Sequence, residues 1–307
     1  MSSDGRRTEL DARAITLLVA CCAIWGLGQV AAKVGLQQIP PLWQAGVRSL
    51  GAALLLLLWC RHRGIEVLCA DGTGRAGQLA GLLFAAEFGC IFVGLQYTTA
   101  TPMAVFLYLA PFVVAAGMPL ISHSERLHAL QVTGLALAFG GVVWAFAEGF
   151  SRPAAGARQW LGDAFGIAAA LLWGCTTLVM RATTLATALP EKSLLYQLGV
   201  SALALCASAV VQGEALPVSL SALSWLVLVF QTVVITFASY LVWFWLVRHY
   251  PATRISAFTL LTPMFGLLAG VLLLGEPLTP RLITALAAVC AGIWLVNRPR
   301  AWPAATR

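Results

Sequence analysis

Long apolar runs, each ended by a few polar or turn-forming residues, set the pattern of this chain. Ten occur, at about 14–35, 41–60, 77–97, 100–121, 127–147, 162–183, 193–212, 222–246, 253–274 and 280–297. A helix needs roughly 20 apolar residues to cross the hydrocarbon core of a bilayer. The runs lack the alternation of a membrane barrel, so they predict helices. The connections are short. The longest, 61–76, contains Gly64, Gly72 and Gly74 and reads as a soluble loop. The expected fold is therefore all-α and integral to the membrane, with ten transmembrane helices.

The pattern occurs twice. Shifted by 152 positions, Ala100, Thr101, Phe106, Leu109 and Pro111 coincide with Ala252, Thr253, Phe258, Leu261 and Pro263. Each copy leads to an acidic residue, Glu125 or Glu276, two before a leucine. Trp25-Gly26 in the first run matches Trp173-Gly174 in the sixth, with a base seven residues beyond each glycine, Lys33 and Arg181. A period of half the chain means a duplicated unit. The division expected is a tail at 1–13, a first repeat at 14–150, a second at 151–298 and a tail at 299–307. Each repeat has five helices, an odd number, so the second enters the membrane inverted. Inverted repeats are typical of secondary transporters, whose site lies near the midplane between the halves.

Composition agrees. The chain is 60% hydrophobic and 10% charged over 307 residues. A soluble domain carries about 25% charged residues. The net charge of +7 would suggest nucleic acid in a soluble protein. Here the bases sit between apolar runs, so they report orientation and contact with the lipid bilayer. With the N-terminus in the cytoplasm, fourteen Lys and Arg fall in cytoplasmic segments and three in outer ones. Both termini are expected to be cytoplasmic. The eight cysteines show no CxxC pair, and no His cluster accompanies them, so no metal site is expected.

Candidate chemistry lies inside the runs. Glu87 sits in the middle of the third, where a charge costs roughly 2.5–3.5 kcal/mol on insertion scales. It is expected to face the bundle interior and to meet a substrate amine or carry a proton, or else to bond to a neighbouring helix. Arg48, two turns inside the second run, could attract a carboxylate. Lys33 is a weaker candidate for the same role, and Arg181 reads as a snorkelling residue. Trp25 and Trp173 fall near the midplane, away from the interfacial belt where Trp gathers, and could stack on a flat substrate or fill space between helices. Gln29, Tyr108, Thr177, Gln231, Thr236, Ser239, Tyr240 and Thr259 supply donors and acceptors at similar depth. Trp243 and Trp245 read as belt residues. Pro111 and Pro263 lie within the fourth and ninth runs, where proline removes a helix hydrogen bond and kinks. They are expected to act as paired hinges. Gly77/Gly81, Gly162/Gly166 and Gly266/Gly270 have the spacing of close helix contacts.

Taken in order, several of these segments resemble the drug/metabolite transporter superfamily in its ten-helix EamA family. They are Trp25-Gly26 with Lys33, Pro41 with Arg48, Leu95-Gln96-Tyr97-Thr98-Thr99-Ala100 with Pro111, and Leu273 to Thr279. One departure is Ser122-His123-Ser124-Glu125-Arg126 in place of the family's Leu-Gly-Glu-Arg form. The resemblance spans residues 14–298. It implies two inverted five-helix halves, a multi-pass position in the bacterial inner membrane, and export or exchange of small metabolites. Members that the chain resembles include aromatic amino-acid exporters.

The expected function is secondary export of small amphipathic metabolites, aromatic or hydrophobic amino acids foremost, by alternating access around a midplane cavity. Multidrug or sugar-nucleotide transport within the same superfamily is the alternative. A channel or a membrane enzyme is a remote one, because no cluster of catalytic side chains emerges. The chain shows no nucleotide-binding loop, so no ATP and no cofactor is expected. The expected partners are a small-molecule substrate and lipid, without nucleic acid, in a monomer or homodimer.

Overall fold

The computed structural model describes residues 9–94, 96–98, 100–122, 126–147, 158–217, 219–274 and 280–298. Among them the chain forms ten helical spans and no strand. These are α1 (Ala12–Gly35), α2 (Pro41–Arg63), α3 (Gly74–Gly94), α4 (100–121), α5 (Ala129–Ala145), α6 (Gln159–Ala182), α7 (Pro190–Val211), α8 (Ala222–His249), α9 (252–274) and α10 (Pro280–Val296). Six have the length and apolarity to cross a membrane, and the other four contain apolar helix of 10–17 residues. The chain is a multi-pass membrane protein. Glu125 and Glu276 of the repeated segment lie outside the described residues.

The helices pack with the symmetry that the duplication requires. α1 lies against α9 as α6 lies against α4. α2 meets the middle of α8 as α7 meets α3, and α2 with α7, α4 with α9, and α5 with α10 pair across the centre. The contact residues repeat as well. A Cβ on Gly26 of α1 would sit 2.8 Å from both Gly266 N and Thr262 O of α9. A Cβ on Gly174 of α6 would meet Val113 and Ala110 O of α4. Gly51 of α2 abuts Thr232 of α8, and Gly81 of α3 abuts Val200 of α7. Lipid is as apolar as a side-chain core, so close backbone approach at small residues drives much of such packing. Gly134 of α5 and Gly292 of α10 supply another such crossing, each against the other's carbonyl. Of the glycine pairs seen in the sequence, Gly77/Gly81 receive Tyr196 and Val200, and Gly162/Gly166 receive Thr98, Met103 and Phe106.

α2 and α7 also end alike. Gly64 and Gly213 take positive φ, 65° and 71°, a conformation open to glycine because it has no Cβ. Ile65 N donates to Cys60 O at 2.8 Å, and Glu214 N donates to Ala209 O at 2.9 Å. These are Schellman-type closures, 149 positions apart.

The two prolines do not sit inside continuous helix. α4 is two segments, Ala100–Leu107 and Ala110–Ile121, with Pro111 at the start of the second. α9 has a 3₁₀ turn, Thr259–Leu261, and Pro263 is the second residue of the segment Thr262–Leu274. Proline is tolerated in a first turn, where its missing N–H has no intrahelical partner to lose. The breaks therefore precede the prolines and match between the halves.

The loop between α2 and α3 is not free in solvent. Lys192 Nζ of α7 lies 2.8 Å from Asp71 Oδ1 and donates to Cys69 O at 2.6 Å. Thr73 reaches Tyr196 Oη at 3.2 Å. At the opposite end of the bundle, Glu214, after α7, accepts from the N–H groups of Leu42 and Trp43 at 3.1–3.2 Å. A carboxylate there satisfies first-turn donors and complements the helix dipole of α2. Each α2/α7 end is thus tied by the loop of the opposite half.

Candidate functional site

The chemistry converges where α1, α2, α3 and α8 meet. Glu87 of α3 and Arg48 of α2 are each 6% exposed. They lie close enough to Tyr240 of α8 for the three groups to interact electrostatically. Among the described residues, Glu87 Oε2 and Arg48 Nε find no hydrogen-bond partner. The Arg48 guanidinium meets the Tyr240 hydroxyl and lies 4.4 Å from the centroid of Phe88 and 5.8 Å from that of Phe92. Such cation–π contacts strengthen as water is excluded. Phe84, Phe88 and Phe92 come from α3 at helical spacing on one face, which builds an aromatic row against the Arg48 guanidinium.

Trp25 closes the cluster from α1. Its Nε1–H donates to Ser239 Oγ at 2.7 Å, and Ser239 donates to Ile235 O at 2.6 Å. Trp25 stands edge-on to Tyr240 at 6.1 Å and to Trp243 at 5.4 Å, and Tyr240 stands edge-on to Phe84 at 6.0 Å. Trp243 is therefore a buried member of this cluster and not an interfacial belt residue. Trp245 is half-buried beneath Arg13, whose guanidinium carbon lies 5.2 Å from its ring.

α8 changes winding at this level. Phe230–Ser239 is a π-helix between α-helical segments. π-turns are rare and frequent at functional sites. The segment carries Gln231, Thr236 and Ser239, all buried.

The sequence candidates thus divide in two. Trp25, Arg48, Glu87, Ser239 and Tyr240 come together. Tyr108, Trp173 and Thr177 form a separate group between α4 and α6. Tyr108 and Trp173 stand edge-on at 6.3 Å, and Thr177 donates to Trp173 O at 3.2 Å. The side chains of Gln29 and Lys33 lie outside the described residues. Thr259 donates to Ser256 O at 2.7 Å within α9. Arg181 does not snorkel. It is buried and donates from Nη1 to Val247 O at 3.0 Å, satisfying a carbonyl at the end of α8. Phe84 and Phe88 went unread in the sequence because one apolar residue among many carries no sign of facing a charge. Gln44 of α2, fully buried, could have been found from its spacing of four before Arg48.

The profile of the EamA-like transporter family matches residues 12–147 and again 160–298. The chain is 28% identical to an uncharacterised transporter of Bacillus subtilis, over 93% of this chain and 92% of that one. It is 24% identical to a protein of Escherichia coli named "Probable amino-acid metabolite efflux pump", over 92% and 93% of the two chains. A solved crystal structure superposes with a TM-score of 0.78 over 94% of this chain and 97% of that chain, at 16% identity.

Proposed function

Because the chain belongs to the EamA-like transporter family, a family of transporters and not enzymes, we propose that it exports small amphipathic metabolites, amino acids with aromatic or apolar side chains foremost. The observation that carries this reading is the burial of Glu87 and Arg48 within electrostatic reach of each other, with the guanidinium set over the Phe88 ring. A zwitterion presents one ammonium and one carboxylate a few ångströms apart. Glu87 receives the ammonium, Arg48 the carboxylate, and Trp25, Phe84, Phe88 and Tyr240 the side chain. Ionised groups at this depth are costly and commonly mark a substrate or ion path. The relative named as an amino-acid metabolite efflux pump points to the same class.

The movement is alternating access, with both termini in the cytoplasm of a bacterial cell. The two halves rock about the centre, and the breaks before Pro111 and Pro263 serve as the hinges. Tyr108, Trp173 and Thr177 form the wall met when the site opens the other way. Gln29 belongs to the α1 side of the path.

Uptake into proteoliposomes tests the reading, with a panel of amino acids, cationic dyes and sugar nucleotides, with and without a pH gradient. Saturable flux of aromatic or apolar amino acids, competed by one another, is expected. Flux confined to dyes or to sugar nucleotides would replace this reading with the multidrug or nucleotide-sugar one.

A further inference from the structure

A second polar step lies beside the charge pair, towards the turn between α1 and α2. Gln231 of α8 is 0% exposed, and neither its Nε2 nor its Oε1 has a hydrogen-bond partner among the described residues. Gln44 of α2 is also 0% exposed; its Nε2 donates to Ala32 O at 3.3 Å, while its Oε1 has no partner. A buried amide without partners costs about 1–3 kcal/mol, and such groups call for an explanation.

Helix position sets the two glutamines on the same side of the bundle, against α1. Gln44 Nε2 abuts Gly35 of α1. On α8, Gln231 lies between Val227, whose Cγ1 packs at Gly35, and Ile235, whose Cδ1 packs at Gly28. Gln44 thus meets α1 at Gly35, and the neighbours of Gln231 on either side along α8 meet α1 at Gly35 and Gly28. Gln44 lies one turn from Arg48 on the same face of α2. Gln231 is the second residue of the π-helix that carries Thr236, whose Oγ1 is likewise unpartnered.

We propose that Gln44 and Gln231 form a transit subsite for the charged head of a zwitterionic substrate, between the Arg48–Glu87 pair and the α1–α2 end of the bundle. Primary amides both donate and accept, so they serve ammonium and carboxylate alike. Being neutral, they hold either one less tightly than a full charge does. Such a step lets the head leave Arg48 and Glu87 without being bare in an apolar wall. The inference rests on the reading that the transport path passes through that pair.

The test separates this role from a structural one by sign. Gln231→Leu removes two unpartnered amide atoms, so thermal stability in detergent is expected to hold or rise; Gln44→Leu removes one unpartnered atom and one long bond to Ala32 O, so its stability is expected to stay close to wild type. Each should lower the maximal export rate about tenfold, the scale of one lost intramembrane hydrogen bond. Unchanged export per folded molecule, or a loss of stability with export intact, overturns the proposal.

A second measurement does not depend on knowing the substrate. In sealed vesicles, Gln231→Cys should react with a membrane-impermeant thiol reagent, read at that position by peptide mass spectrometry, whereas Leu226→Cys, on the exposed face of α8, should not. No reaction from either side of the vesicle overturns the subsite. Reaction at position 231 in a protein that moves no amino acid supports the water-accessible step and defeats only the amino-acid reading.

Discussion

The two halves of this molecule cross their helices at matching positions and carry different chemistry. Gly26 and Gly174 meet α9 and α4 in matching ways, and α2 and α7 close with the same glycine geometry at Gly64 and Gly213. The shift of 149 that relates those ends places Arg48 of α2 opposite Gln197 of α7. Arg48 faces Glu87 and the Phe88 ring. Gln197, equally buried, donates only to the sulfur of Met180, at 3.4 Å. The duplicated scaffold fixes where helices cross. Arg48 and Glu87 both come from the first half, and they meet Tyr240 of the second half's α8 where α1, α2, α3 and α8 come together.

Breaking the charged copy should have the largest effect. Arg48 lies within electrostatic reach of buried Glu87, and a buried carboxylate that loses its nearby cation is left uncompensated. Arg48→Gln, which copies the second half's residue into the first, should lower export by about a hundredfold or more. Gln197→Leu should leave it within about threefold. Flux assays on the two variants check this, and equal losses would dissolve the contrast.

The scaffold can be broken at matched points. A Cβ on Gly26 meets backbone atoms of α9 at 2.8 Å, whereas one on Gly174 meets the Val113 side chain at 2.5 Å and backbone only at 3.4 Å. A side chain yields more readily than a backbone. Gly26→Ala should cost about 2–3 kcal/mol and Gly174→Ala less, as overpacking does elsewhere. Thermal unfolding in detergent measures the order.

Smaller effects separate the two clamps. Glu214→Gln leaves the α2 N-terminus without its carboxylate and should cost about 1 kcal/mol, the usual worth of a helix cap. Lys192 holds the Asp71 carboxyl well below its ordinary 3.8, at about 2, with help from Thr73. Asp71 is thereby depressed in the folded state. Its contribution is complete above the ordinary value and is lost as pH falls from 3.8 towards 2. The stability difference between wild type and Asp71→Asn should shrink across that window; a constant difference would show that the clamp does not titrate.

Much of this was legible in the sequence. Run length gave ten helices, and the doubled Ala-Thr…Pro segment with the Trp-Gly pairs gave the duplication. Glu87, Arg48, Trp25, Ser239 and Tyr240 stood out because polar or midplane aromatic residues are expensive in lipid. What remained hidden was which face each helix turns inward. Lipid and helix interface are both apolar, so hydropathy does not separate them. Trp243 therefore read as a belt residue, and Tyr108 and Trp173 read as one site with Glu87. The 61–76 loop looked free because Lys192, which holds it, is more than a hundred residues away. The π-winding of α8 leaves no mark in residue type, although it carries the buried Gln231, Thr236 and Ser239.

The central claim is that Glu87 and Arg48 read the two charges of one zwitterion. Competition of labelled tryptophan export by tryptamine, which lacks the carboxylate, and by indole-3-propionate, which lacks the ammonium, addresses it most directly. Wild type should be inhibited weakly by both. Arg48→Gln should narrow the gap between tryptophan and tryptamine, and Glu87→Gln the gap between tryptophan and indole-3-propionate. If both analogues compete as well as tryptophan in the wild-type protein, the charge pair does not read the substrate.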